Sequence, residues 1–352
     1  MPLAEKFYFS KENIEKCRLN ASTVLAEQAV HCLELVAELV ECGLNFQFKG
    51  GNSLLLILEE PKRFSIDVDI ASDQSREEIE EVLNKLTAQF CVFTRWERRQ
   101  HKTKPWLPLS SYYFFYKSQF DLSPDTNIML DVQMRRSDYR TEFKKVVCGN
   151  LYRSSVECEL PLPSSIISDK LLTLGPSTLG IPLGKGKEAQ RLKHVYDVSR
   201  LSRTLPDVKS MRESFTSCLR QENDLQKTDH SVQDIVKDTL SFLWSTAAHE
   251  DKPEMTGAPV LDENIKGLEP FAKHLFESGY SWQSLQRDMA RAALCISAVG
   301  NESVTNEMLH AHIAKDMTAS DSSLPFRVTN PHARFCWDAV YRWWDKDPFW
   351  IQ

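Results

Sequence analysis

The sequence of 352 residues contains no apolar run close to the roughly 20 residues that a membrane-spanning helix requires. Its first residues, MPLAEKFYFSKENIEK, carry charges too early and too evenly for a secretory leader, so a cytoplasmic chain without membrane association is expected. The nine cysteines offer neither a CxxC pair nor a Cys/His cluster. That argues against structural zinc or a disulfide framework and for reduced thiols in a core. Positive charge is not in excess: 43 Lys and Arg stand against 49 Asp and Glu, a net charge of −6, which excludes coating nucleic acid through bulk charge while leaving local patches open. No internal repeat is present. GKGK at 184–187 lacks the glycine spacing and the Lys-Ser/Thr ending of a Walker loop and reads as a mobile basic loop.

What is there is an ordinary globular composition, 42% hydrophobic and 26% charged, in a chain long enough for two domains. From Ser22 to Cys42 apolar residues recur every three or four positions and stop at Gly43, which predicts an amphipathic helix. A strand at NFQF comes next, then the Gly50–Gly51 turn and a helix from about Asn52 to Glu60 that Pro61 ends. In RFSIDVDIA the alternation sets Ile66, Val68 and Ile70 on one strand face and Ser65, Asp67 and Asp69 on the other. A helix near SREEIEEVLNKLTAQF leads to strand candidates in CVFTRW, SYYFFYK and NIMLDVQMR. Between about Leu160 and Gly186 the chain reads as a Pro-, Ser- and Gly-rich loop broken by a short helix at SSIISDKLLTL. Beyond about Leu205 the pattern is helical. An α+β fold is expected, with a mixed-sheet catalytic core over 1–204 and a helical C-terminal domain over 205–352.

The chemistry is concentrated between Phe48 and Ile70, FKGGNSLLLILEEPKRFSIDVDI. Two-metal phosphoryl or nucleotidyl transfer needs carboxylates on one wall holding two Mg²⁺ ions. Alternation puts Asp67 and Asp69 on one strand face, roughly 7 Å apart. Asp131, the lone carboxylate in IMLDVQ, is the candidate third ligand on another strand. Gly50 and Gly51 would let a triphosphate approach the start of a helix, whose free amides and positive dipole end favour an anion, and Ser53 could add a hydroxyl. Each feature alone has a plainer reading, a capped turn for GGNS and a solvated strand face for DVD; their order along the chain favours the site.

The stretch KGGNSLLLIL…RFSIDVDI resembles the KGG-T/S-L…RxSxDxD signature of the AbiEii/AbiGii-type nucleotidyltransferase toxins, a branch of the polymerase β-like nucleotidyltransferases. The later family pattern KLxAxxxR resembles KLLTLGPS, with Thr173 at the small residue and Ser177 where the arginine belongs. RxKDxxDL resembles RLKHVYDV, with His194 for the first aspartate and Val198 for the leucine. The resemblance implies a polymerase β-like core with a helical C-terminal domain, acting as an enzyme that moves a nucleoside monophosphate from an NTP to an acceptor and releases pyrophosphate. It implies Mg²⁺ at Asp67, Asp69 and Asp131, with Lys170 and Asp197 completing the catalytic set. Lys49, Gly50, Gly51, Ser53, Arg63 and Ser65 would meet the nucleotide, as would Lys193; Arg191, Lys185 and Lys187 could replace the missing arginine. The implied acceptor is tRNA or another macromolecule, and the implied setting a toxin–antitoxin or phage-defence system with an antitoxin as partner. A small-molecule nucleotidyltransferase of the antibiotic-modifying kind and a non-catalytic NTP-binding module are the alternatives.

Two further stretches stand out. WERRQHKTKPW, from Trp96 to Trp106, interleaves basic and aromatic residues in a hairpin connection and could touch nucleic acid or merely be a soluble hairpin. The tail PHARFCWDAVYRWWDKDPFWIQ places Trp337, Val340, Tyr341 and Trp344 on one helical stripe, which is core or, if exposed, a partner surface.

Overall fold

A serine hydroxyl opens the first long helix: Ser22 accepts from the Leu25 amide, and α2 (Thr23–Glu41), which comes after α1 (Lys11–Cys17), ends at Gly43 with φ 91°. The computed structural model describes residues 2–351 apart from Leu19, 100–107, Leu122, Pro124, Glu277 and 315–323. β1 (Gln47–Lys49) runs directly into α3 (Gly50–Ile57), and β2 (Asp67–Ala71) returns antiparallel beside β1. A Ser75/Glu78 capping box starts α4 (Arg76–Gln89). Then come β3 (Phe93–Arg99), β4 (Leu109–Tyr116), β5 (Asn127–Gln133), β6 (Thr141–Cys148) and β7 (Tyr152–Pro161). Among the described residues these strands form one mixed sheet in the order β3-β4-β5-β2-β1-β7-β6, parallel at β2–β5 and β1–β7.

One face of the sheet is dry. Val68, Ile70, Leu130 and Val132 are almost wholly buried on the side where α2 packs, whereas Asp67, Asp69, Met129, Asp131 and Gln133 alternate onto the half-exposed side. Ile66, predicted on the buried face, precedes β2 and is 41% exposed. α2 also carries a buried carboxyl pair. Glu34 accepts from the Leu3 and Ala4 amides (2.6 and 3.3 Å) and from Tyr152 Oη (2.6 Å), while burial and then the charge of Glu34 push Glu38 up to about 9.

The chain parts into two compact units, Met1–Ser137 with Thr141–Leu162 and His274–Glu277, and Asp138–Arg140 with Pro163–Lys273 and Ser278–Gln352. The expected division near residue 204 differs from this one. α5 (Pro163–Leu172) packs on α6 (Glu188–Ser202) and α7 (Val208–Gln226), so α5 and α6 cluster with the later helices rather than with the sheet. The second unit continues through α8 (Val232–Trp244), α9 (Pro259–Ala272), α10 (Trp282–Gly300), α11 (Asn306–Ile313) and α12 (Pro331–Trp343). The fold is α+β, with a mixed sheet in one unit and helices in the other.

α12 resolves the aromatic tail. Trp337 and Val340 are buried, Trp337 meeting Trp244 edge to face at 4.8 Å, but Trp343 rather than Tyr341 or Trp344 joins them inside. Trp337, Val340 and Trp343 are therefore core, while Tyr341 and Trp344 stay half-buried at its edge. No helix among the described residues is long and apolar enough to cross a membrane.

Candidate active site

The strand-to-helix junction β1–α3 is shaped by two missing side chains. Gly50 has φ 73°, and a Cβ there would lie 2.7 Å from the Cβ of Asp69 and closer still to its carboxylate. A Cβ at Gly51 would stand 2.8 Å from Ser65 Oγ and 3.1 Å from Arg63 Nη2. The glycines thus bring the first turn of α3 against Asp69, Ser65 and Arg63. The side chain of Lys49, the N-cap residue, makes no capping bond, and the leading amides of α3 lack intrahelical acceptors and carry the positive end of the helix dipole, with the Asp69 carboxylate against them. Asn52 fixes the helix to the strand by donating from Nδ2 to the Asp67 carbonyl (2.7 Å). Ser53 is fully buried and donates its hydroxyl to the Gly50 carbonyl (2.8 Å), so it braces the turn from within.

Pairing sets the carboxylates. Lys49 is in register with Asp69, Asp69 with Asp131, Asp131 with Ser111, and Ser111 with Arg99, a row across five neighbouring strands on one sheet face. Adjacent members are about 4.8 Å apart at the backbone. Asp67 lies two residues before Asp69 on the same face, in register with Met129. Ser111 Oγ donates to Asp131 Oδ1, and Lys49 Nζ donates to Gln133 Oε1 (3.1 Å). Behind the sheet, burial first and then the negative charge of Asp67 hold the Cys32 thiol well above its ordinary range.

This donor set suits a hard divalent cation: carboxylate oxygens on adjacent parallel strands, with a glycine notch beside one of them. Among the described residues no three His, Cys, Asp or Glu side chains already converge on one point.

The remaining predicted residues lie in the second unit. Lys170 of α5 and Asp197 of α6 form a buried ion pair, Nζ to Oδ2 2.9 Å. His194 Nδ1 is hydrogen-bonded to Thr173 Oγ1. Lys185 and Lys187 are exposed before α6, and Lys193 is half-buried on it. Arg191, expected among the phosphate contacts, is 1% exposed and spent inside its unit, on Glu263 (2.8 Å) and the carbonyls of Ile181 (2.6 Å) and Pro182 (3.3 Å). Arg200 is likewise bound to Asp288 (2.6 Å). Of the basic residues from Lys185 to Arg200, Lys185 and Lys187 are therefore the exposed ones, while Arg191 and Arg200 are held in ion pairs. Ser177, where the family pattern has arginine, donates its amide to Asp238 Oδ2 (2.8 Å).

The reading of the sequence passed over Asn52, Ser111 and Arg99. Nothing in SSYYFFYK marks Ser111 before the β4–β5 register is known. Arg99 is not singled out within the stretch Trp96–Trp106, which reads as a hairpin that could touch nucleic acid or merely be soluble, and whose residues 100–107 lie outside the described residues.

A comparison with curated proteins finds no match. Among solved structures the chain is similar to an antigenic nucleotidyltransferase-like protein from Paracoccidioides brasiliensis, at 12% identity and a TM-score of 0.35, over 57% of this chain and 91% of that one. The family model described as nucleotidyl transferase AbiEii toxin, type IV TA system, matches residues 34–277, a span that holds the glycine junction, all three sheet carboxylates and the Lys170–Asp197 pair. The chain belongs to the AbiEii family of nucleotidyltransferase toxins.

Proposed function

We propose that this nucleotidyltransferase moves a nucleoside monophosphate from an NTP to a macromolecular acceptor, with tRNA the first candidate, as a Mg²⁺-dependent toxin of a toxin–antitoxin or phage-defence system. The observation that supports the reading is the register of Asp69 with Asp131 on parallel strands, beside the glycine-opened start of α3. Asp67, Asp69 and Asp131 would hold Mg²⁺, which when bound neutralises charge on the triphosphate and polarises the attacking hydroxyl. The α3 amides at Gly50 and Gly51, with Ser65, Arg63 and Lys49 alongside, receive the phosphates. Asp131, its Oδ1 already accepting from Ser111, takes the acceptor's proton at Oδ2. The acceptor oxygen bonds to the α-phosphorus, the bond to the bridging oxygen breaks, and pyrophosphate leaves. Lys170, Asp197 and Lys193 enter this proposal through the family motifs alone, Lys185 and Lys187 as replacements for the arginine those motifs lack here, and with them a functional core reaching to about residue 204.

The test is incubation with Mg²⁺, each of the four α-labelled NTPs in turn and total tRNA, beside an Asp67→Ala/Asp69→Ala double variant. Label on RNA from the wild type alone is the expected result. Equal labelling by the double variant would show the carboxylate assignment to be wrong.

A further inference from the structure

Three arginines leave β3, and they are used differently. Arg98 points to the α4 side, where it pairs with Glu80 (3.2 Å), and Arg95 is held by Glu97 and Asp125 (3.1 and 3.2 Å). Arg99 has the opposite parity from Arg98 and lies on the carboxylate face, in register with Ser111. Its guanidinium reaches across β4 to β5, Nη1 donating to Met129 Sδ at 3.3 Å. Met129 is the register partner of Asp67 and lies two residues before Asp131, so this cation stands beside the carboxylates. Among the described residues no carboxylate pairs with it, and a thioether is a weak acceptor for a charged donor.

The two sides of the carboxylate row are then unlike. Toward β1 lie the open helix start and Lys49; toward β3 lie Ser111, Tyr113 and Arg99. We infer that Arg99 is the acceptor-side specificity residue: on the RNA acceptor proposed above it takes the phosphodiester 5′ to the nucleotide whose hydroxyl attacks. This rests on the nucleotidyl-transfer reading above and deepens it. The distance along β5 from Met129 to Asp131, about 7 Å, is close to the stride of one nucleotide in an extended strand. Tyr113, the half-buried register partner of Met129, offers the ring on which that nucleotide's base stacks. A cationic small-molecule acceptor would meet Arg99 as a repulsive charge at the place where it must bind.

The experiment is anisotropy of a labelled single-stranded RNA with a free 3′ hydroxyl, without NTP, against a second RNA whose last linkage is a neutral methylphosphonate. NTP affinity is measured separately by calorimetry. Wild type is expected to prefer the charged linkage. Arg99→Ala should weaken that RNA about 10-fold, erase the preference and lower the salt slope by about 0.7, one phosphate contact on a single strand, with NTP affinity held within about twofold. Arg99→Lys should fall between, because an ammonium supplies the charge without the fork. Should Arg99→Ala keep the preference, or lose NTP affinity instead, the assignment is overturned. An enzyme that transfers NMP through Asp67 and Asp69 yet binds neither RNA would also sink it while leaving nucleotidyl transfer standing. RNA binding that depends on Arg99, in a protein that transfers NMP to some acceptor but never to that RNA, would overturn the acceptor-side role and leave Arg99 a binding contact alone.

Discussion

At the scale of single residues, the site depends on atoms that are missing as much as on atoms present. Gly50→Ala must place a Cβ inside the Asp69 carboxylate at φ 73°, so it should cost about 1–3 kcal/mol in denaturant unfolding and abolish transfer. Gly43→Ala, with φ 91° and nothing within 4 Å, should cost about 1 kcal/mol and leave turnover intact. Glu38 gives the molecule a pH signature away from the site. Burial and the neighbouring Glu34 raise its carboxyl from the ordinary 4.5 to about 9, so the folded chain keeps a proton that the unfolded chain releases. The stability tied to that proton is whole below about pH 4.5 and drains away as pH rises toward 9, by at most about 1.4 kcal/mol per pH unit. Glu38→Gln should therefore stabilise the protein at pH 8–9 and flatten its stability curve there; an unchanged melting profile between pH 5 and 9 would contradict the buried-proton account.

The elements show what could be read in advance. α2, β2, α4 and β5 were legible through a clean period or a chemical stop: serine caps, Gly43 and the alternation around Asp67 and Asp131; α3 was foreseen in kind, but it starts at Gly50 and ends at Ile57, short of Glu60 and Pro61. The β6–β7 hairpin was not, since TEFKKVVC sends Phe143 outward at 69% exposure and a register shift near Lys145 breaks the alternation. In α12 the stripe was half right: Trp337, packed against Trp244 and Trp350, and Val340 are buried, but Trp343, which meets His312, is buried in place of Trp344, which donates its indole N–H to Ser297 at the helix end. Trp337→Ala should cost about 3–5 kcal/mol in unfolding experiments, and Trp344→Ala markedly less. Asn52→Ala, which cuts the tie between α3 and the Asp67 carbonyl, should cost about 1–2 kcal/mol.

For the whole molecule, residue types were easier to foresee than partners. Composition and spacing singled out Asp67, Asp69 and Asp131, but their alignment, and the arrival of Ser111 and Arg99 beside them, come from strand order, which no local pattern encodes. The burial of Arg191 was hidden for the same reason, its partner Glu263 lying 72 residues away. The Lys170–Asp197 pair separates structural from chemical roles. Asp197→Asn strands a buried ammonium and should cost about 3–5 kcal/mol, while Lys170→Met with Asp197→Leu should recover most of that stability. If the double variant melts like wild type and transfers nothing, the pair serves the reaction; if it transfers normally, the pair is architecture.

The shared register of β2 and β5 carries a last consequence. A strand slipped by a single residue would turn Asp131 to the opposite side of the sheet, so there is no slightly misassembled chain with slightly reduced output. A copy with that register slipped should transfer nothing, so in refolding, transfer should return all at once with the native pairing of β2 and β5 and not in proportion to helix content.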